Sequence, residues 1–374
     1  MYKTFVFALA AISFSCASTT SEINDVGVPA NYVIDLEGAI EENDLEVGTI
    51  SLTPLTQPLD FDGFSDHLKL KVWGNIFYVF DIRQQFLMVY DSLGHHLQKI
   101  GGKGNGPNEL NRVIDFAVGA DEVAFLKPAG NNMILNHFGK DGKHIRNDNI
   151  PVSAVSLGRF DSGDYVVFTG WNNQAVPDKL YRIDQASANF TTFFPHEFDE
   201  PKISIGDSDN FTNLNDRLYF LESLKPEIFQ IREQNELELF AYIDLGDLDI
   251  NNDFWSMEPM KAAEMLMKSA FFHCRYFWVT EDFIILEGFV NNGNGKGQVF
   301  LTVHQIHSGV SKAKALEPGS IDQLLMNIFY IEDNYIYSLG DGYAIKTLGL
   351  EEEIDADIII SDTTYYIVKS EIKF

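Results

Sequence analysis

The sequence predicts an all-β fold, a six-bladed β-propeller with one helical insertion near residues 251–270. Three observations lead there. A strand, a polar turn and a second strand recur six times at intervals of roughly forty-five residues, the length of a four-stranded blade. A further strand rich in Val, Ile, Tyr and Phe precedes every copy. Strands do not alternate with long helical patterns, so a parallel doubly wound sheet is not expected.

The first fifteen of the 374 residues, MYKTFVFALAAISFS, read as an export signal. Lys3 supplies the positive start, and the apolar run over residues 5–14 is too short to span a bilayer as a permanent helix. Cys16 follows the small Ser15 and is positioned to carry a lipid anchor after cleavage; ordinary cleavage after Ala17 is the alternative. Residues 16–45 read as a tether and lead-in, and 46–374 as the propeller, expected to be monomeric. Only two cysteines occur, Cys16 and Cys274. A disulfide framework is therefore not expected, and Cys274, within FFHCRYFW, reads as a small buried hydrophobe.

Within the propeller the repeated hairpins are FLMVYDSLGHHLQKI (86–100), MILNHFGKDGKHIRN (133–147), KLYRIDQASANFTTF (179–193), EIFQIREQNELELFA (227–241) and FLTVHQIHSGVSKAKAL (300–316). A degenerate sixth copy is YAIKTLGLEEEI (343–354). Their turns, near Ser92, Asp141, Asp184, Glu233, His307 and Leu348, lie about 49, 43, 49, 74 and 41 residues apart. The preceding strands are NIFYVFD (75–81), DEVAFLK (121–127), GDYVVFTG (163–170), DRLYFLES (216–223), DFIILEGF (282–289) and NYIYSLG (334–340). GTISLTPLT (48–56) is expected to share one blade with the C-terminal strands DIIISD (357–362) and TYYIVKSEI (364–372). That pairing would close the ring and remove its last free edge.

The one long interval maps to NNDFWSMEPMKAAEMLMKSA (251–270), the best helical stretch in the chain. Asn252, Asp253 or Ser256 can cap it, and Pro259 is tolerated in a first turn. Met257, Met260 and Met267 fall near one face. The helix is expected to pack over a blade through that stripe; a lid or partner contact is the other reading.

Lys and Arg number 27 against 55 Asp and Glu, a formal net charge of −28. This excludes nucleic acid as a partner and opposes docking by charge onto anionic lipid, so any membrane contact is left to the N-terminal anchor. The histidines form no HExxH and no Cys/His set, so no metal is expected. DSDN (207–210) lacks the calcium-loop spacing. No Gly-x-Ser-x-Gly elbow occurs, and no cofactor is expected. The candidate binding residues are Trp171, Asn172 and Asn173 in GWNNQ, and His273, Arg275 and Tyr276 in FFHCRYFW, because aromatic rings beside amides and charges suit glycan or peptide recognition.

After the first hairpin the chain reads KIGGKGNGPNELNRVIDFAV (99–118). The glycines permit φ > 0 turns, Pro107 fixes the loop exit, and Glu109 can accept hydrogen bonds from loop amides. No Lys-Ser/Thr follows, so this is no phosphate loop. Gly104, Gly106, Pro107 and Glu109 resemble the Gly-x-Gly-Pro-x-Glu-aromatic signature of the six-bladed β-propeller lipoproteins common in Bacteroidota, with Leu110 in place of the aromatic. The resemblance implies an exported, usually lipid-anchored propeller at the cell envelope and no catalytic residue set. The expected function is binding or scaffolding, with a small ligand, a glycan or an envelope protein as partner on the face around the central channel. A propeller-fold glycan hydrolase or lyase with channel-lining acids is the alternative.

Overall fold

Long apolar runs such as Phe77-Tyr78-Val79-Phe80 form strands buried on both faces, because alternate side chains serve two different cores. In the computed structural model, Phe77 and Val79 pack with Tyr337 and Ile367 on one side, while Tyr78 and Phe80 pack with Phe116 and Phe125 on the other. That is blade-on-blade packing. The structure describes residues 30–374 apart from 60, 66, 171–176, 186–188, 197–208, 294–296, 327–329, 350 and 352–359.

Six small sheets form the ring. Blade 1 is built from Leu68–Trp73, Ile76–Asp81, Phe86–Asp91 and His96–Gly101, and blade 2 from Asp115–Val118, Glu122–Ala129, Asn132–Gly139 and His144–Ile150. Blade 3 comprises Ser156–Arg159, Tyr165–Phe168, Asp178–Ile183 and Phe190–Pro195. Blade 4 comprises Phe211–Leu214, Arg217–Leu221, Glu227–Ile231 and Leu237–Asp244, and gains Tyr32–Asp35 as a parallel fifth strand. Blade 5 runs Ala270–Val279, Phe283–Asn292, Gly297–Gln305 and Val310–Leu316. In blade 6, Tyr330–Glu332, Tyr335–Asp341 and Tyr365–Lys373 are joined by Glu46–Pro54 from the other end of the chain.

The closure pairs Ile50 with Ser370, Leu52 with Val368 and Pro54 with Tyr366. The lead-in contributes more than a tether: after Tyr32–Asp35, helix α1 (Leu36–Glu42), capped by Asp35, buries Leu36 and Ala39 against blades 4 and 5.

The repeat length reappears in the polar contacts between blades. Lys69 meets Asp115 across a separation of 46 residues, Asp115 accepts from the Leu157 amide across 42, Tyr165 donates to Glu122 across 43, and Lys179 to Glu222 across 43. One repeat carries a residue into the neighbouring blade. At Glu122 the contacts form a network. Burial pushes its carboxyl up, but His137, Tyr165 and Arg146 outweigh burial and hold it at about 2.

No hairpin forms about Leu348: residues Gly342–Thr347 are helix α3, with Asp341 accepting from the Tyr343 amide. Blade 6 needs no fourth strand there, because the N-terminal strand fills that place. Two further short helices, α1 and α3, lie outside the insertion, which itself holds α2 (Pro259–Lys268). FFHCRYFW belongs to the innermost strand of blade 5.

The inserted helix, α2 (Pro259–Lys268), does begin with Pro259, but Glu258 occupies its N-cap and makes no side-chain bond; Asn251 instead caps the short turn before it. Of the methionine stripe only Met257 packs. Ala262 and Leu266 are the buried residues, with Met257 and Met265 beside them, while Met260 and Met267 are 82% and 67% exposed. The preceding turn places Phe254 and Trp255 beneath the helix, and these rings take up the apolar contact that the stripe was expected to supply.

Candidate binding site

The six innermost strands line the central channel. Toward their N-terminal ends the channel is blocked by a buried ion cluster. Lys69 Nζ lies 2.8 Å from Asp209 and 3.2 Å from Asp115, and Lys71 Nζ lies 3.5 Å from Asp115. Asp115 also accepts from the Phe116 and Leu157 amides at 2.9 and 2.8 Å. Burial alone would lower the Lys69 ammonium, but the two carboxylates win and raise it. Burial alone would likewise raise Asp209, and the two lysines win and lower it. Lys69 and Asp209 thus hold each other charged, and the cluster forms a floor to the channel.

Above that floor the strands enclose a cavity of about 170 Å³. Its walls include Trp73, Tyr276, Trp278 and Tyr330, with Arg159, Lys71 and Asn213 as polar groups. Tyr276 and Trp278 stack with ring centroids 6.0 Å apart. They share a face because they lie two residues apart on one strand, beyond the bulge at Arg275 that interrupts the pairing between Cys274 and Tyr276.

Arg159 ends the inner strand of blade 3. Its guanidinium sits 5.6 Å from the Trp73 ring and 5.7 Å from that of Tyr165. It rests on Gly119, where any Cβ would collide with the guanidinium carbon. The Asn213 amide donates to the Arg159 carbonyl at 2.5 Å and ties the strand to blade 4. Among the described residues, Arg159 Nε and Nη1 are buried and make no hydrogen bond. Arg159 also acts on the nearby Asp161 carboxyl, which it pulls down, yet its Nε and Nη1 donors stay unmet. A buried donor without a partner costs about 1–3 kcal/mol, so the group is complete only with an acceptor beside it.

Among the described residues, Tyr276 is the one proposed binding residue that lines this cavity, its hydroxyl pushed up to about 12 by burial. His273 is buried away from it, and burial, helped by Arg275, pulls its imidazole down to about 4, leaving it neutral. Arg275 turns to Glu287 at 3.3 Å. Trp171, Asn172 and Asn173 lie outside the described residues, as does Cys16. Gly104, Gly106, Pro107 and Glu109 form the connection between blades 1 and 2, where Glu109 Oε2 accepts from the Gly106 amide at 2.7 Å. Cys274 is buried and its thiol is pushed up by burial, as suits a packing residue. No cluster of three metal-ligating side chains occurs among the described residues.

Sequence reasoning missed Trp73 and Arg159. The available signal was their place: each is the last residue of a strand just before the short turn into a strand that was read correctly.

With the geometry in place, the relatives can be compared. The profile of the family described as a domain of unknown function, DUF4934, matches residues 64–369. The chain belongs to the DUF4934 family. The match takes in the cavity and blades 1 to 6, and leaves out the N-terminal closing strand. A Bacteroides fragilis protein described as exported has a similar solved structure, with a TM-score of 0.70 at 14% identity over 92% of this chain and 99% of that one. A Bacteroides vulgatus member of the DUF4221 family gives a TM-score of 0.54 at 11% identity, over 88% of this chain and 98% of that one. At these identities the likeness extends to the fold. No protein of curated function matches this DUF4934 sequence. No helix among the described residues is long and apolar enough to cross a membrane.

Proposed function

We propose that this protein is an exported, lipid-anchored binding module at the cell envelope, and that its central cavity captures a small cyclic carboxylate, free or as the terminal group of a glycan or peptide. The observation that carries the reading is Arg159, which presents two unmet donors in a cavity walled by aromatic rings. A carboxylate satisfies a guanidinium through paired hydrogen bonds, and the rings of Trp73, Tyr276 and Trp278 offer faces to a flat body. Size narrows the choice. A cavity of about 150 Å³ holds benzene, so a space of about 170 Å³ suits one ring. The chain's net charge of −28 makes a cationic pocket selective, since anions have few other places to bind.

The anchor rests on Cys16 directly after an export signal, and on the resemblance of residues 99–118 to envelope lipoproteins. Intact-mass analysis of the envelope-extracted protein is expected to show Cys16 as an acylated N-terminus; an unmodified chain beginning at Ser18 contradicts it.

Thermal melting tests the cavity. Benzoate at a hundredfold excess over its Kd is expected to stabilise the protein by about 2.7 kcal/mol, a rise on the order of a few °C, and the neutral benzamide is not. Arg159→Gln should abolish the rise. Equal shifts with benzoate and benzamide would count against the reading.

The enzyme alternative has one group in its favour. Asp161, on the turn after Arg159, has its carboxyl raised first by burial and then by Asp216. The channel acids do not help, because Asp115 and Asp209 are already paired with Lys69, and the lysines hold the Asp209 carboxyl down. A hydrolase or lyase needs a general acid at the bond it cleaves.

A further inference from the structure

The connection between blades 1 and 2 does more than turn a corner. It forms one wall of a cavity of about 270 Å³, separate from the channel, whose other wall is the outer part of blade 2. The loop wall is prebuilt. Gly104 donates to Leu110 at 3.1 Å, Leu110 to Gly102 at 2.9 Å, and Glu109 to Gly106 at 3.1 Å, and the Asn111 amide donates to Asn105 at 3.0 Å. Leu110, fully buried, pins the loop against Gly101. At Gly104 a Cβ would collide with the Glu109 carboxylate, so glycine there lets that carboxylate fold over the loop. A wall fixed in advance loses little entropy on binding.

Two groups in the cavity lack partners. Asn136 is 4% exposed, and among the described residues its side chain makes no hydrogen bond, its oxygen being fully buried. Lys127 has no carboxylate partner among the described residues, although acids outnumber cations about two to one in the chain. Burial lowers its ammonium pKa, as expected of a cation left uncompensated. His144 Nε2 is engaged with Asn147 Oδ1 at 2.8 Å, and Asn147 is the cross-strand neighbour of Asn136.

We propose that this cavity is a second ligand site, for a hydroxylated carboxylic acid of the uronic-acid type. Lys127 takes the carboxylate. The amides of Asn136, Asn111 and Asn147 take hydroxyls, each able to donate and accept. Glu109 has one oxygen tied to the Gly106 amide and the other free to accept from a hydroxyl. No Phe, Tyr or Trp lines the cavity among the described residues, so recognition runs through polar edges rather than ring stacking. This separates it from the channel site, and neither proposal depends on the other.

Titration calorimetry with sodium glucuronate tests the site, with glucose as the uncharged control. The expected result is saturable binding of glucuronate, at least tenfold tighter than glucose, weakened at least tenfold by Lys127→Gln. Asn136→Leu is expected to abolish binding while the melting temperature holds or rises, because an unsatisfied buried amide is removed. Absence of saturable heat with the natural protein, equal affinity for glucose, or unchanged affinity in Lys127→Gln would overturn the assignment.

Discussion

Lys179→Met is expected to destabilise the propeller by about 3–5 kcal/mol, a large part of the ~5–15 kcal/mol that holds a typical domain folded. Lys179 and Glu222 are 1% and 3% exposed, and their charges meet at 2.9 Å between blades 3 and 4. The ammonium also lies 4.8 Å from the Phe194 ring. Removing the cation leaves a carboxylate in an apolar interface with its main partner gone. The double variant Lys179→Met with Glu222→Leu fills the same space without charge and should recover most of the loss. Chemical denaturation of the three proteins checks this. If the double variant is no more stable than Lys179→Met, the loss comes from packing around Phe194 and not from a stranded charge.

A chain that starts at Thr56 is expected to lose cooperative folding. Besides the lead-in with its buried Ile34 and Leu36, it lacks Glu46–Pro54 and the adjoining Leu55, and with them the buried side chains of Ile50, Leu52 and Leu55. Three such side chains are worth about 1.5–3 kcal/mol each, which together approaches the stability of the whole domain. The cut also bares the Tyr365–Lys373 edge, a template for association with another chain. Denaturation followed by tryptophan fluorescence, with light scattering alongside, is the check. A monomer that keeps the parent's midpoint would show that the ring does not depend on its closure.

Much of this architecture was legible because a blade writes itself twice. Strands such as Ile76–Asp81 and the hairpin after them carry apolar residues on both faces, and the turn chemistry at Gly94, Gly142 and Gly309, each at positive φ, marks the hairpin tips. The innermost strands were harder to see. Asp115–Val118, Ser156–Arg159 and Phe211–Leu214 have four residues each, too few to show a period. The candidate site stands on those same strands, so it went unseen with them. Tyr276 was found because FFHCRYFW is long and aromatic, but its neighbours His273 and Arg275 were grouped with it by sequence alone. The bulge at Arg275 breaks the alternation, and no pattern of residue types announces a bulge. The methionines of α2 misled for a related reason. A helical stripe shows which residues share a face, and the exposure of Met260 and Met267 was decided by Phe254 and Trp255, outside the helix.

The account rests on Arg159 as the anion-seeking group of an aromatic cavity, and Trp73 beside it serves as a reporter. The most direct measurement is a tryptophan-fluorescence titration with benzoate, run on the natural protein and on Arg159→Gln. The account predicts a saturable change in the natural protein that disappears in the variant, while both unfold at the same temperature. A saturable change of equal affinity in both proteins, or none in the natural protein, would contradict it.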